Sequence, residues 1–359
     1  MEAFIEVLIE QFGDDGVMML AGLCVGLVFG AAAQHSRFCL RASIVETAEA
    51  KLGGKLAIWL LAFSAAVLFV QLAILLEYLD ASQSRQLSAV GSMSGAIVGG
   101  VLFGVGMILS RGCASRLLVL SATGNLRALV TGLVLTLVAQ ASLRGVLSPV
   151  REAVGGWWLV DGGEARNLLS LIGLSSKGAV LITLVVMIAA LGLALKRSVR
   201  WSHIVGALLV GFAVALGWGF TYQIAQVSFE PIALQSVTFT GPSTDTLMTF
   251  VNQSELDLGF GVGLVPGVFI GAALMSLVTG DFEIQRFGSD VKMERYLLGA
   301  FLMGFGAMLA GGCAVGAGMT GGSIFAITAW VAVFSMWMGG LLAMALLEGK
   351  HPFKSRVRA

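Results

Sequence analysis

The stretch Gly104-Val-Gly106-Met-Ile-Leu-Ser-Arg111-Gly112-Cys113 has a near copy 200 residues later, Gly304-Phe-Gly306-Ala-Met-Leu-Ala-Gly311-Gly312-Cys313. Each copy is an apolar run with two closely spaced glycines, and each ends in a Gly-Cys pair. Glycine interrupts helices and also lets packed membrane helices approach closely. The two stretches therefore predict a duplicated chain in which two membrane helices break beside a thiol.

The composition is that of a membrane protein. Of the 359 residues, 57% are hydrophobic and only 12% are charged, whereas soluble domains carry about a quarter charged residues. The net charge of +1 and the lack of a basic block argue against a nucleic-acid partner. The cysteines form neither a CxxC pair nor a metal-like cluster, so we expect no disulfide framework, no metal site and no cofactor.

Apolar runs near membrane length predict an all-α polytopic protein with nine transmembrane helices, at 17–36, 55–76, 92–110, 126–147, 178–195, 203–222, 259–279, 295–311 and 324–347. Three further apolar segments are too short or too broken to cross. We interpret 37–48, 113–124 and 228–250 as re-entrant half-helices or loops. Such backbone is tolerated at membrane depth only where protein buries it or where it lines a cavity.

The basic residues orient this map. With the N-terminus outside, 17 of the 22 Lys and Arg residues fall in the inner connections and the C-terminal tail. The positive-inside rule therefore predicts an N-out, C-in protein in a cytoplasmic-type membrane. Cys113 closes the third span and Cys313 the eighth, so equivalent segments run in opposite directions, as in the inverted repeats of many transporters.

The predicted division of the chain follows from this repeat. Residues 17–147 form the first inverted repeat and 203–347 the second. Residues 148–202 connect them and contain the fifth span, and 348–359 form a basic cytoplasmic tail.

The two Gly-Cys pairs are candidate anion sites. If Gly112 and Gly312 break their helices, a new half-helix begins at Cys113 and at Cys313. A helix N-terminus offers free N–H groups and partial positive charge, and a thiol adds a weak donor with a soft sulfur. This combination suits a sulfur-bearing anion. The alternative is that both cysteines are small packing residues.

Two further stretches bear on the site. Cys39 lies between Arg37 and Arg41 at the inner end of the first span, as a third thiol of the path or as a buried residue beside a basic anchor. The hydroxyl-rich segment around Ser236, Thr238 and Thr240 is either the wall of an outer vestibule or a solvated loop. Cys24 lies mid-span with no break beside it, and we interpret it as a packing residue.

Five motifs occur together in this chain: Ser36–Cys39, Gly104–Cys113, Gly124–Arg127, Ser236–Ser243 and Gly304–Cys313. Through them the chain resembles the YeeE/YedE family of bacterial inner-membrane sulfur-compound transporters. The resemblance implies an hourglass-shaped inverted repeat in which thiosulfate passes three path-lining thiols by hydrogen bonds to S–H. Carried over, these are the thiols of Cys39, Cys113 and Cys313. Arg111, where many relatives have glycine, implies stronger anion binding or a contact with the inner interface.

The substrate and the mechanism stay open at this point. The family also implies selenium or other sulfur compounds as substrates. Two rival functions are a membrane sulfurtransferase that works through a cysteine persulfide, and a sensor that binds a sulfur compound. The expected partners are the anion, the lipid bilayer and, as an open question, a soluble cytoplasmic sulfurtransferase docked on the inner face.

Overall fold

The computed structural model of the chain describes residues 2–252, 258–286 and 292–348. Nine segments within these ranges are long and apolar enough to span a membrane, as predicted. Their principal helices are α1 Glu2–Ser36, α3 Gly54–Leu75, α5 Met93–Leu109, α7 Leu126–Arg144, α10 Ser176–Lys196, α11 Trp201–Val227, α13 Phe260–Thr279, α14 Met293–Ala310 and α15 Ile327–Glu348. The basic tail predicted after these helices falls at 349–359, outside the described residues.

Shorter helices fill the connections: α2 Leu40–Ala48, α4 Arg85–Ser88, α6 Ala114–Ala122, α8 Ser148–Gly155, α9 Leu168–Ile172 and α12 Thr240–Asn252. A 3-10 turn covers Gly163–Arg166, a π-helix covers Ala314–Gly321, and strands β1 (Gly91–Ser92) and β2 (Leu159–Val160) pair antiparallel. Within the described ranges the protein is thus all-α apart from this small two-stranded sheet.

The structure differs from the prediction at two helix starts. Helix α1 begins at Glu2 instead of 17, and Gly13 interrupts it with a left-handed φ of 72°. The last span begins at Ile327 instead of 324 because Phe325 takes a left-handed φ of 55°, which ends the preceding turn. Because acidic residues precede Gly13, a search for apolar runs does not detect the beginning of the first helix.

The predicted re-entrant segment 228–250 divides into two parts. Residues 228–239 form neither helix nor strand, and α12 follows. Although irregular, this stretch reaches the interior, since Ser236, Val237 and Phe239 are each almost fully buried. The Thr320 hydroxyl of the π-helix donates to the Val237 carbonyl, which satisfies one buried acceptor of the segment.

Glycines set the closest helix packing. A Cβ built on Gly99 of α5 would lie 2.5 Å from the Gly306 carbonyl oxygen of α14, and one on Gly306 would lie 2.7 Å from that of Gly99. Gly106 and Gly299 form the same reciprocal pair at 2.5 and 2.7 Å. Helices α5 and α14 therefore run antiparallel with their backbones in direct contact, as small residues allow in membranes.

Two other helix pairs are parallel and also packed through glycine. Gly22 and Gly30 of α1 face Phe260 and Val268 of α13. Helix α15 packs along α5 in the same manner. Helix α10 instead packs on α3 and exposes most of its apolar side chains, which is the surface expected to face lipid.

Candidate functional site

Three helices of the structure break, and a cysteine begins the next helix at each break. Cys39 is the N-cap of α2, Cys113 the N-cap of α6 and Cys313 the N-cap of the π-helix. The half-helices predicted to begin at Cys113 and Cys313 are therefore present. That Cys39 also begins a helix was not predicted, although its thiol was predicted to be part of the path.

The break itself lies one residue earlier than expected. The residue two positions before each cysteine is left-handed: Arg37 with φ 55°, Arg111 with φ 57° and Gly311 with φ 80°. At two of the breaks an i to i−5 hydrogen bond closes the old helix, from Phe38 N to Ala33 O and from Gly312 N to Ala307 O. Arg37 and Arg111 thus hold backbone positions where glycine is usual.

Gly112 and Gly312 are needed because a side chain would be crowded at these positions, whereas the residue before each of them makes the turn. A Cβ on Gly312 would lie 2.9 Å from the Ala317 backbone nitrogen, closer than real Cβ atoms approach. A Cβ on Gly112 would meet the Leu117 side chain at 3.2 Å, a tight but adjustable contact. Each glycine lets the new half-helix fold back against the chain that enters it.

The Cys313 thiol site is small, and its donors are uncharged. The Cys313 thiol is buried, and its sulfur accepts a hydrogen bond of 3.4 Å from Gly316 N. Gly316 has no side chain, and the Thr238 hydroxyl occupies the space that a Cβ would need. The donors around Cys313 are thus a backbone N–H group and a hydroxyl.

A second thiol site joins two of the predicted cysteines. The Cys39 and Cys113 thiols lie close enough to interact with each other. The Cys113 sulfur also lies 3.3 Å from the Ser115 hydroxyl. Residues from two separate breaks, 74 positions apart in the chain, therefore converge on one site. Cys24, by contrast, is exposed on α1.

Two arginines interact with this pair: Arg41, noted beside Cys39 in the sequence, and Arg116, which was not. Arg116 acts electrostatically on both thiols, and Arg41 on Cys39. Arg37 directs a 67% exposed side chain to Asp281, with Nη2 3.8 Å from Oδ1. Arg111 is exposed at the same end of the molecule. Arg116 was missed although it follows Cys113 by three residues, the spacing that puts two side chains on one helix face.

A cavity of about 870 Å³ lies above the Cys313 thiol site. Ser236, Thr238 and Thr240, the hydroxyls predicted for a vestibule, line it, and Gly312 and Gly316 extend its wall to the turn that holds Cys313. The Thr240 hydroxyl is buried and has no hydrogen-bond partner among the described residues. It is available to a ligand in the cavity.

The cavity carries net positive charge. Four arginines line it, Arg85, Arg144, Arg151 and Arg166, with Asp245 as the carboxylate in the wall, and Arg151 is paired with Glu152 at 2.9 Å. Arg166 donates to the Ala89 carbonyl at 2.6 Å and to the Thr328 hydroxyl at 2.7 Å. Burial, aided by nearby Arg85, lowers the pKa of the Arg166 guanidinium. In the sequence these arginines are recognisable only as the basic residues of the predicted outer connections. That they line one cavity follows from the tertiary fold.

Broken membrane helices, thiols at the breaks and a positively charged cavity define a multi-pass membrane transport protein that handles anions. The family model described as sulphur transport matches residues 35–342, and the chain belongs to this family. Its general function is therefore the transport of sulfur compounds, as the sequence resemblance predicted.

Two relatives extend over almost the whole chain. The thiosulfate transporter TsuA of Escherichia coli (strain K12) is 24% identical over 95% of this chain and 97% of its own length. The thiosulfate transporter TsuA of Spirochaeta thermophila is 27% identical over 90% of this chain and 97% of its own length. Both relatives are named as transporters and neither as an enzyme.

Proposed function

We propose that this protein imports thiosulfate, or a closely related sulfur anion, across the bacterial inner membrane. The family and the names of both relatives, which are thiosulfate transporters, support this substrate class. The excess of Lys and Arg in the inner connections supports an N-out, C-in orientation, with the arginine-lined cavity open to the outside.

One observation carries the proposal: three thiols stand at three helix N-termini, one beside the positive cavity and two in contact with each other. The anion enters the cavity, meets Cys313 and passes to the pair formed by Cys113 and Cys39. Thiols donate weakly, so each site binds firmly enough to admit the anion and loosely enough to release it.

We further infer that the two halves are inverted repeats, 17–147 and 203–347, joined by 148–202. The reciprocal glycine contacts support this arrangement. Gly99 contacts Gly306, and Gly106 contacts Gly299. Adding 200 to 99 and subtracting 200 from 306 gives 299 and 106, so the repeat converts one contact into the other. Two-fold related surfaces make reciprocal contacts of this kind.

The direct test is uptake of labelled thiosulfate by cells that lack other sulfate and thiosulfate importers. We expect saturable uptake by the parent protein and by Cys24→Ala, and background uptake by Cys313→Ala. Background uptake by a parent protein that is well expressed in the membrane would reject thiosulfate. The same cells would then be supplied with selenium and other sulfur compounds.

A second candidate function is sulfur transfer, favoured by the positive charge of Arg41 and Arg116 near the thiol pair. A thiolate would attack the outer sulfur of thiosulfate, the sulfur–sulfur bond would break, sulfite would leave, and a persulfide would remain on the cysteine. Thiosulfate labelled differently on its two sulfurs separates the functions. Transport delivers both labels still bonded, whereas transfer leaves one label on Cys39 or Cys113, detectable by mass spectrometry.

We also propose a soluble cytoplasmic sulfurtransferase as a partner, because imported thiosulfate must be consumed and the inner connections are basic. Co-purification from membranes at low salt, with loss at high salt, is the expected behaviour. Retention of no sulfurtransferase at any salt concentration would remove this partner without affecting transport.

A further inference from the structure

Arg116 occupies a position whose counterpart in the other half is a glycine. Cys113 and Cys313 are 200 residues apart, and Arg116 and Gly316 stand three residues after them. Each is the third residue of the corresponding short helix. The Cys313 thiol, the outer site in the proposed orientation, has the backbone N–H group of Gly316 at this position. The Cys113 thiol, in the inner pair with Cys39, has the backbone N–H group of Arg116 and also its guanidinium.

The Arg116 guanidinium is poorly matched by protein groups. It donates a hydrogen bond to the neutral Gln34 amide oxygen, with Nη1 3.4 Å from Oε1 in a part-buried setting. Within the described ranges, no carboxylate oxygen lies within 4 Å of it. The carboxylate that acts on it, Asp281, is itself paired with Arg37 at 3.8 Å. A guanidinium has five N–H donors, so most of its capacity is left for another acceptor.

A cation at membrane depth without a paired carboxylate is costly and is usually found at an ion or substrate site. Here the cation faces two thiols that are already in contact with each other. A guanidinium binds two oxygens of one tetrahedral anion in parallel, while a soft sulfur atom suits the thiols. The two kinds of donor match the two ends of a sulfur oxoanion that carries a terminal sulfur.

We propose that Arg116 is the anion-binding residue of the inner thiol site, where it holds the oxygen end of the substrate while Cys39 and Cys113 hold its sulfur end. The inference rests on the proposed function and adds a difference between the two sites. The outer thiol site binds through neutral donors, and the inner site adds a full positive charge. The inner site therefore keeps a positive charge beside the anion after it has left the arginines of the cavity.

The test measures KM and maximal rate of thiosulfate uptake for the purified full chain in proteoliposomes. Arg116→Gln should raise KM by about tenfold to a hundredfold, the range for a lost charged hydrogen bond. Arg116→Lys should recover most of the loss because it keeps the charge but loses the planar fork. Arg197→Gln, an exposed arginine at the inner surface, is the matched control and should behave as the parent.

A second measurement covers variants that transport too slowly to analyse. Thiosulfate should slow alkylation of Cys113 by a maleimide in the parent and in Arg116→Lys, and should fail to do so in Arg116→Gln and Arg116→Met. An unchanged KM or undiminished protection in Arg116→Gln would overturn the role of Arg116 while leaving transport intact. A parent that transports other sulfur anions but no thiosulfate would overturn the proposed substrate, and the same comparison would then be made with the transported anion.

Discussion

The three thiols proposed to line the path lie in different surroundings. Cys313 accepts from a backbone N–H group, while Cys113 contacts a second thiol and the Ser115 hydroxyl. Both are about 1% exposed, so a substitution at either site alters a dry contact instead of a hydrated surface. Replacing either cysteine should reduce the transport rate more than the stability of the fold, since alanine fits the same space.

Replacement of Cys113 or Cys313 by alanine should therefore reduce thiosulfate uptake to background with little change in thermal stability. Serine should restore only part of the uptake, because a hydroxyl donates more strongly and is less polarizable. Cys24→Ala, at an exposed position of α1, is the control and should match the parent. Equal uptake by all of these variants would leave the buried cysteines as packing residues.

At Arg111 the effect of the side-chain charge can be separated from the effect of the backbone conformation. Its φ of 57° is strained for any residue with a Cβ, so Arg111→Gly should stabilise the fold by up to about 1 kcal/mol. Uptake should stay near the parental rate if the exposed side chain does not touch the substrate. Thermal unfolding and KM measured on one preparation test both points, and a KM raised as much as in Arg116→Gln would return Arg111 to the path.

At the scale of the elements, glycine contacts decide which helices stay together. The antiparallel contact of α5 with α14 has no room for a side chain at Gly99, Gly106, Gly299 or Gly306. Backbones this close gain dispersion energy along the whole crossing, and the packing is lost when a larger residue forces them apart.

Gly99→Val and Gly306→Val should each destabilise the protein by about 1–3 kcal/mol through overpacking. Gly192→Val in α10 is the matched control, because nothing lies within 4 Å of a Cβ at that position. Thermal unfolding in detergent, read as loss of the monodisperse peak, is the measurement. Loss of stability in the control alone would show that helix propensity, and not the crossing, governs these sites.

Much of this architecture is accessible from the sequence because it depends on local patterns. Runs of apolar residues identify all nine spans, and Gly-Cys pairs identify two of the breaks within a residue. The Cys39–Cys113 contact, the Arg116 side chain and the four arginines of the cavity depend on segments that are distant in the chain. Hydropathy and spacing carry no signal for such convergence.

At the scale of the whole molecule, the proposed orientation places the cavity on the outside and the thiol pair towards the cytoplasm. A membrane-impermeant thiol reagent tests this directly. In variants that keep a single path cysteine, reagent outside intact cells should modify Cys313 but not Cys39, and inside-out vesicles should give the reverse. Modification of Cys39 from the outside would reverse the orientation, and equal access to both from one side would rule out a constriction between them.

The glycine crossings tie α1 to α13 and α5 to α14, and each pair takes one helix from either half. Halves interlocked in this way resist the rocking by which many carriers pump their cargo uphill. We therefore expect delivery down a gradient with a shallow temperature coefficient, measurable as initial uptake at several temperatures, whereas a steep coefficient would indicate rocking. The rate of uptake would then be set inside the cell, since the anion flows inward only as fast as cytoplasmic metabolism removes it.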